Sequence, residues 1–286
     1  MRFGCWPFFY LAATIVSCAA PVSSSDAPGD AETTTTSAII LVERSVDLAG
    51  GPRAEASARF VRVASTSSPE EALRAIGATI DLPAGGTCAP IAALSGTIAP
   101  EDPPPFVELL DVGEVALETS GGAETRLVPR QLPDVTDIVS GVVYARATDP
   151  GALPVDSRYW LHIGGGASLP TFEATAVAPA APLDVRVLGE DSGGAVVTGD
   201  DSVQLAWSTL PVTDTIYVDI QPTGVRCVPQ DDDRGEPRHG RLPGSLLSES
   251  GLLVIHRLHR EPLHASGLDS GEIRFDFARS LAYRRR

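Results

Sequence analysis

Arg158-Tyr159-Trp160-Leu161-His162-Ile163 alternates polar and apolar side chains, Trp160 excepted. Tyr159, Leu161 and Ile163 hold every second position, so in an extended chain they share one face, with Arg158, Trp160 and His162 on the other. Apolar residues with period two over six positions predict a strand that buries one side. Similar stretches recur at short spacing on either side. Upstream they occupy 38–42, 58–63, 107–110, 112–117 and 139–144, and downstream 172–177, 183–188, 203–207, 215–220, 225–228, 252–258 and 273–277. Turn residues such as Gly50-Gly51-Pro52 and Pro133-Asp134 separate them. Many short strands divided by Gly and Pro predict an all-β fold built as a sandwich or barrel. One helix interrupts the pattern over residues 69–76. Ser68 stands at its cap, Pro69 at its first position and Glu71 three residues after Ser68, a capping-box spacing, and Gly77 stops it.

Ala178-Pro179-Ala180-Ala181-Pro182 reads as a linker. It divides the chain into a first β-sandwich over 37–178 and a second over 183–286. In the second, Val203, Leu205 and Trp207 alternate as a half-buried strand, and Cys227 follows some distance on. A Trp on one strand with a Cys beyond it resembles an immunoglobulin-like core, so the expectation is two β-sandwich modules of that kind.

The N-terminal stretch supplies an address. Arg2 is the only charge before Asp26, and residues 8–16 form an apolar run too short to span a bilayer. The run ends in Ile15-Val16-Ser17-Cys18, which resembles the lipobox of bacterial lipoproteins. That resemblance covers residues 1–18 alone. It implies a signal peptide over 1–17, lipid on Cys18 and a membrane partner held through that lipid; Ala19 after the cysteine implies the outer membrane. The alternative is cleavage at Cys18-Ala19-Ala20 and secretion as a soluble protein. Residues 18–36 are small and polar, a flexible tether.

If Cys5 is removed and Cys18 acylated, Cys88 and Cys227 remain, and an exported protein with one such pair is expected to bridge it. The bridge either staples two domains together, the favoured reading, or marks sheets that interleave across residue 180.

The net charge is −15, with a balance of −20 over residues 18–233 and +4 over 234–286. An acidic body excludes nucleic acid, whose recognition needs a basic footprint. A protein or polysaccharide partner is left open.

Candidate chemistry is sparse. Asp191-Ser192-Gly193-Gly194 resembles the nucleophile motif of chymotrypsin-like serine proteases, but no His precedes His162 to serve as its base, so it reads as a polar turn. His256, His259 and His264 cluster, yet on a strand His256 and His259 point to opposite faces, which opposes a zinc site. Asp231 and Asp233 are weak calcium candidates in an acidic loop that lacks the EF-hand spacing. No cofactor motif is present. The expectation is a non-enzymatic envelope lipoprotein, a binding or structural module. The alternatives are an exported hydrolase whose site is assembled from scattered residues, and a calcium-stabilised adhesion module.

Overall fold

The computed structural model describes residues 33–48, 51–64, 68–94, 107–135, 139–181, 185–188, 195–198, 202–208, 210–211, 213–230 and 238–285. Cys18 with the expected leader and tether, the Ser192 turn, and Asp231 and Asp233 lie outside them. The chain is all-β. Its strands before the linker are β1 (Thr34–Asp47), β2 (Gly51–Ala64), β3 (Cys88–Pro90), β4 (Val107–Leu109), β5 (Val115–Thr119), β6 (Glu124–Arg126), β7 (Val128–Val135), β8 (Val139–Thr148), β9 (Arg158–Ile163) and β10 (Phe172–Val177). After it come β11 (Arg186–Val187), β12 (Ala195–Thr198), β13 (Ser202–Trp207), β14 (Asp214–Gln221), β15 (Val225–Cys227), β16 (Arg238–Pro243), β17 (Ser250–Pro262) and β18 (Ser270–Arg285).

One eleven-stranded sheet runs through both halves, in the order β3-β15-β14-β17-β18-β1-β2-β4-β8-β7, with β12 beside the end of β18. Two smaller sheets, β10-β9-β5-β6 and β11-β13-β16, contribute buried side chains to cores shared with its inner face. The final strand explains this arrangement. Sixteen residues of strand reach roughly 50 Å, long enough to serve two cores in succession. Ile273, Phe275 and Phe277 enter the first core, with Phe60, Leu117, Tyr159 and Leu161. Leu281 and Tyr283, further along the same face, enter the second, with Leu205, Trp207, Val218 and Ile255. Arg279 interrupts the apolar series and donates to the Val185 carbonyl. On β17, Arg257 and His259 interrupt it likewise. A polar seam therefore separates the two cores on one continuous sheet.

The expected separation into sandwiches over 37–178 and 183–286 does not hold for the sheets. β1 pairs in parallel with β18, Ser37 facing Ser270 and Val46 facing Arg279. The linker does coincide with a division between cores, because the alternating apolar residues on each side of it pack mostly among themselves.

Cys88 and Cys227 are bridged, 139 residues apart in sequence and 4.1 Å apart at Cα. They face each other on neighbouring strands, β3 and β15, of the same sheet. An immunoglobulin-type bridge joins two sheets, whereas this one lies within a single sheet, although Trp207 and Cys227 share a core. Interleaving is the correct alternative: a short strand from the N-terminal half is fastened to the edge of a sheet otherwise completed there by C-terminal strands.

The helix, α1, spans Pro69–Ala75 and ends at Ile76. The capping box is not formed, since Ser68 makes no side-chain cap bond. Pro69 at the start and Glu70 and Glu71 in the first turn favour the helix N-terminus instead. Ala72 and Leu73 pack on Ile39, Val61 and Val63, on the sheet face opposite the first core. That coverage explains why β2 buries both its faces, with Ala58 and Phe60 on one and Val61 and Val63 on the other.

Candidate functional site on the outer face of the large sheet

Away from α1, the outer face of the large sheet carries a row of polar side chains set by strand register. Glu55 on β2 faces Glu43 on β1, and Glu43 faces Asp276 on β18. One residue pair further on, His256 of β17 faces Tyr217 of β14, and Asp219 of β14 faces Arg226 of β15. None of these pairs was visible in the sequence, because each joins residues from distant strands.

The centre of the row is closely bonded. The Tyr217 hydroxyl donates to Asp276 Oδ2 at 2.7 Å. His256 Nδ1 lies 3.1 Å from both Asp276 oxygens, and its ring stacks on Tyr217 at 4.2 Å between centroids. Arg226 donates twice to Asp219, at 2.7 and 2.8 Å, and its guanidinium lies over the other side of the row, 4.6 Å from the Tyr217 ring centre. Burial, and next the Asp276 charge, hold the Tyr217 phenol well above its ordinary pKa, so it stays a donor. Tyr217→Phe should therefore destabilise the fold by about 1–3 kcal/mol, since it leaves a buried carboxylate short of a partner; urea unfolding monitored by tryptophan fluorescence measures it.

Beside this network lies an open depression of about 420 Å³, lined among others by Glu43, Arg44, Arg53, Glu55, Thr148 and His256. Partial desolvation, then the like charges of Asp276 and Glu55, push the Glu43 carboxyl above the usual range. Glu43 keeps an exposed surface, and solvent screening limits the effect.

A second depression, of about 630 Å³, lies on the exposed face of the β10-β9-β5-β6 sheet. Glu114, Glu118, Glu124 and Glu173 surround His162 there. Glu118 and Glu124 face each other directly across β5 and β6, a like-charge pair that opposes pairing. Arg126 offsets it by bridging Glu114 at 2.9 Å and Glu124 at 2.5 Å.

Three histidines share one geometry. His162 lies between Glu173, 3.1 Å from Nδ1, and Glu118, 3.3 Å from Nε2. His256 lies between Asp276 at 3.1 Å and Asp219 at 3.8 Å. His259 lies between Asp214 at 2.5 Å and Glu261 at 3.8 Å. Each imidazole thus holds Nδ1 against a carboxylate, while Nε2 has only a longer ion-pair approach and, in His162, is buried without a hydrogen-bond partner. His256 and His259 do point to opposite faces, His256 to the outer row and His259 to the seam, where Asp214 also accepts from Arg257 Nε at 2.7 Å. The motif around them was legible in sequence. Their partners were not: Asp276 lies 20 residues from His256 and Asp214 lies 45 from His259.

No family model and no curated protein matches the chain. A solved structure of the Fcho1 Mu homology domain from Danio rerio, with bound Eps15 peptide, is similar at 11% identity over 88% of this chain and 97% of that one, with a TM-score of 0.20. A likeness at that score bears on neither fold nor function.

Proposed function

We propose that this chain is a lipid-anchored envelope protein whose folded part binds a partner rather than transforming a substrate. The observation that carries the reading is the carboxylate on Nδ1 of His162, His256 and His259, with a second acid on the Nε2 side. A general base in nucleophilic catalysis needs one nitrogen on an orienting acid and the other on a hydroxyl or thiol. Here Nδ1 is on an acid in all three, and the Nε2 side faces another acid at 3.3 to 3.8 Å, outside a hydrogen bond, where a base would face a nucleophile. The polar depressions on the outer face of the large sheet and on the smaller sheet are surfaces that a protein or polysaccharide partner could occupy. Ile15-Val16-Ser17-Cys18 supports the anchor.

Cys18→Ser tests the anchor directly. The parent chain should partition with the membrane fraction and incorporate labelled palmitate, and the variant should do neither. A variant that stays with the membrane sinks the lipoprotein reading.

A second reading, an exported hydrolase, is favoured by Glu43 lying in register with Asp276 at an open depression. It requires that chromogenic nitrophenyl glycosides or esters be cleaved by the parent chain and not by Glu43→Gln.

A further inference from the structure

A third depression, of about 450 Å³, opens on the outer sheet face where α1 crosses it. Its floor includes Ser37 on β1 and Ser270 on β18, whose hydroxyls bond each other at 2.7 Å. Ser68, Glu70, Thr79 and Asp81 stand at its wall, and Arg260, Glu272 and Arg274 complete it.

The arrangement of charge is the informative part. Arg260 on β17 and Arg274 on β18 are direct cross-strand partners, so their side chains leave the sheet on one face. Like charges directly opposite one another oppose pairing unless something offsets them. Arg274 is 9% exposed and has its own partners, Glu272 and the Ala78 carbonyl. Asp81 and Glu70 are both engaged by Arg74, and Asp81 also accepts from Thr79. Among the described residues, Arg260 has no carboxylate within ion-pair distance. The pocket therefore holds one cation more than its own acids engage, beside a second guanidinium and next to hydroxyl groups. Ser68 adds a hydroxyl that takes no part in capping the helix.

We infer that this pocket binds a phosphate group, with Arg260 as the guanidinium that receives it. Guanidinium matches phosphate geometry through paired N–H donors, and serine and threonine hydroxyls supply further donors. Glu272 offsets the charge of Arg274 alone, and a phosphate would supply the counter-charge that Arg260 lacks. The same chemistry is presented by a soluble phosphate ester and by an anionic lipid headgroup. The inference stands independently of whether Cys18 carries lipid.

The test uses the full chain carrying Cys18→Ser, titrated with inorganic phosphate and glycerol phosphate and followed by the amide resonances of Ser37, Thr79 and Ser270. Saturable shifts are expected at these positions. Arg260→Gln should weaken the apparent affinity at least tenfold, while Arg241→Gln, on β16, should leave it unchanged. Flotation with vesicles of phosphatidylglycerol or of phosphatidylcholine separates the sources. Arg260-dependent binding to phosphatidylglycerol alone assigns a lipid headgroup, and saturation by glycerol phosphate without flotation assigns a soluble ester. If neither ligand shifts these amides and neither vesicle binds, or if Arg260→Gln behaves as the parent does, the inference is wrong. Arg260→Lys, which keeps the charge and loses the fork, should bind with intermediate affinity and guards against a folding artefact.

Discussion

Replacing Cys88 and Cys227 together by Ser should lower the free energy of unfolding by about 4–5 kcal/mol. The bridge closes a loop of 139 residues, and in the chain-entropy description a loop near that length restrains the unfolded chain by about this amount. The native cost should be local. β3 is three residues long and lies at the edge of the large sheet, with β15 as its neighbour. Its attachment otherwise rests on the ladder with β15 and on flanking bonds such as Gly86 N–H to the Val228 carbonyl at 2.9 Å and Val228 N–H to the Thr87 carbonyl at 3.1 Å. Urea unfolding of the parent and the double variant gives the energy. Hydrogen exchange should show those amides opening first, while the amides of β9 and β10 keep their protection. A loss below about 1 kcal/mol would mean that the segment around Cys88 holds its place without the bridge, contrary to the loop-closure argument.

Asp214→Ala should cost about 3–5 kcal/mol at neutral pH, because it leaves a buried guanidinium without its carboxylate. The Asp214 side chain is fully buried, and that of Arg257 is 10% exposed. Burial by itself would raise the Asp214 pKa. The hydrogen bonds from His259 and Arg257, with their positive charge, outweigh it and hold the carboxyl below its usual range. A carboxyl depressed in the native state binds fewer protons there than in the unfolded chain. Its contribution is therefore fully present above the unfolded value of about 3.9 and is lost as pH falls through the lower native value. The stability gap between the parent and Asp214→Ala should hold its full size at about pH 6 to 7 and close progressively below about pH 4. A gap that widened on acidification would show that the native carboxyl is raised, not depressed. Asp214→Asn, which keeps the shape, should follow the same pH course with a smaller gap.

Much of the strand content was legible because the side-chain alternation of a strand is a local property. Arg158–Ile163 and Phe172–Val177 lie where the pattern placed them, and Tyr159, Leu161 and Ile163 do share the buried side. The strands that went unrecognised, among them Glu124–Arg126, Val128–Val135 and Arg238–Pro243, carry charges or prolines where the pattern looks for apolar residues. Glu124–Arg126 buries one residue of three, so pairing to a neighbour, not burial, makes it a strand. Residues 183–188 held enough apolar character to read as a strand, and among the described residues 185–188 the strand is Arg186–Val187.

The candidate sites were legible only in part. His256 and His259 stood out, and their placement on opposite faces followed from strand geometry. The partners that give them meaning, Asp276, Asp219 and Asp214, are ordinary acids in the sequence, brought into contact by register between strands. The Arg260–Arg274 pair is of the same kind. Nothing in either residue's neighbourhood along the chain announces that the two will face each other.

The all-β class, the buried side of many strands and the site of the short helix were readable from the amino-acid sequence alone. Those properties depend on residues within a few positions of one another. The tertiary structure alone decided that the last strand lies against the first, with Ser37 bonded to Ser270 across 233 residues, that one sheet serves two cores, and that the bridge lies within that sheet. The physical reason is that a strand's own pattern states which face is apolar but not which edge it will pair with. That choice is made by the competing long-range contacts of the whole chain, and a 16-residue strand with apolar residues on one face, interrupted at Arg279, could satisfy two cores at once only by lying between them.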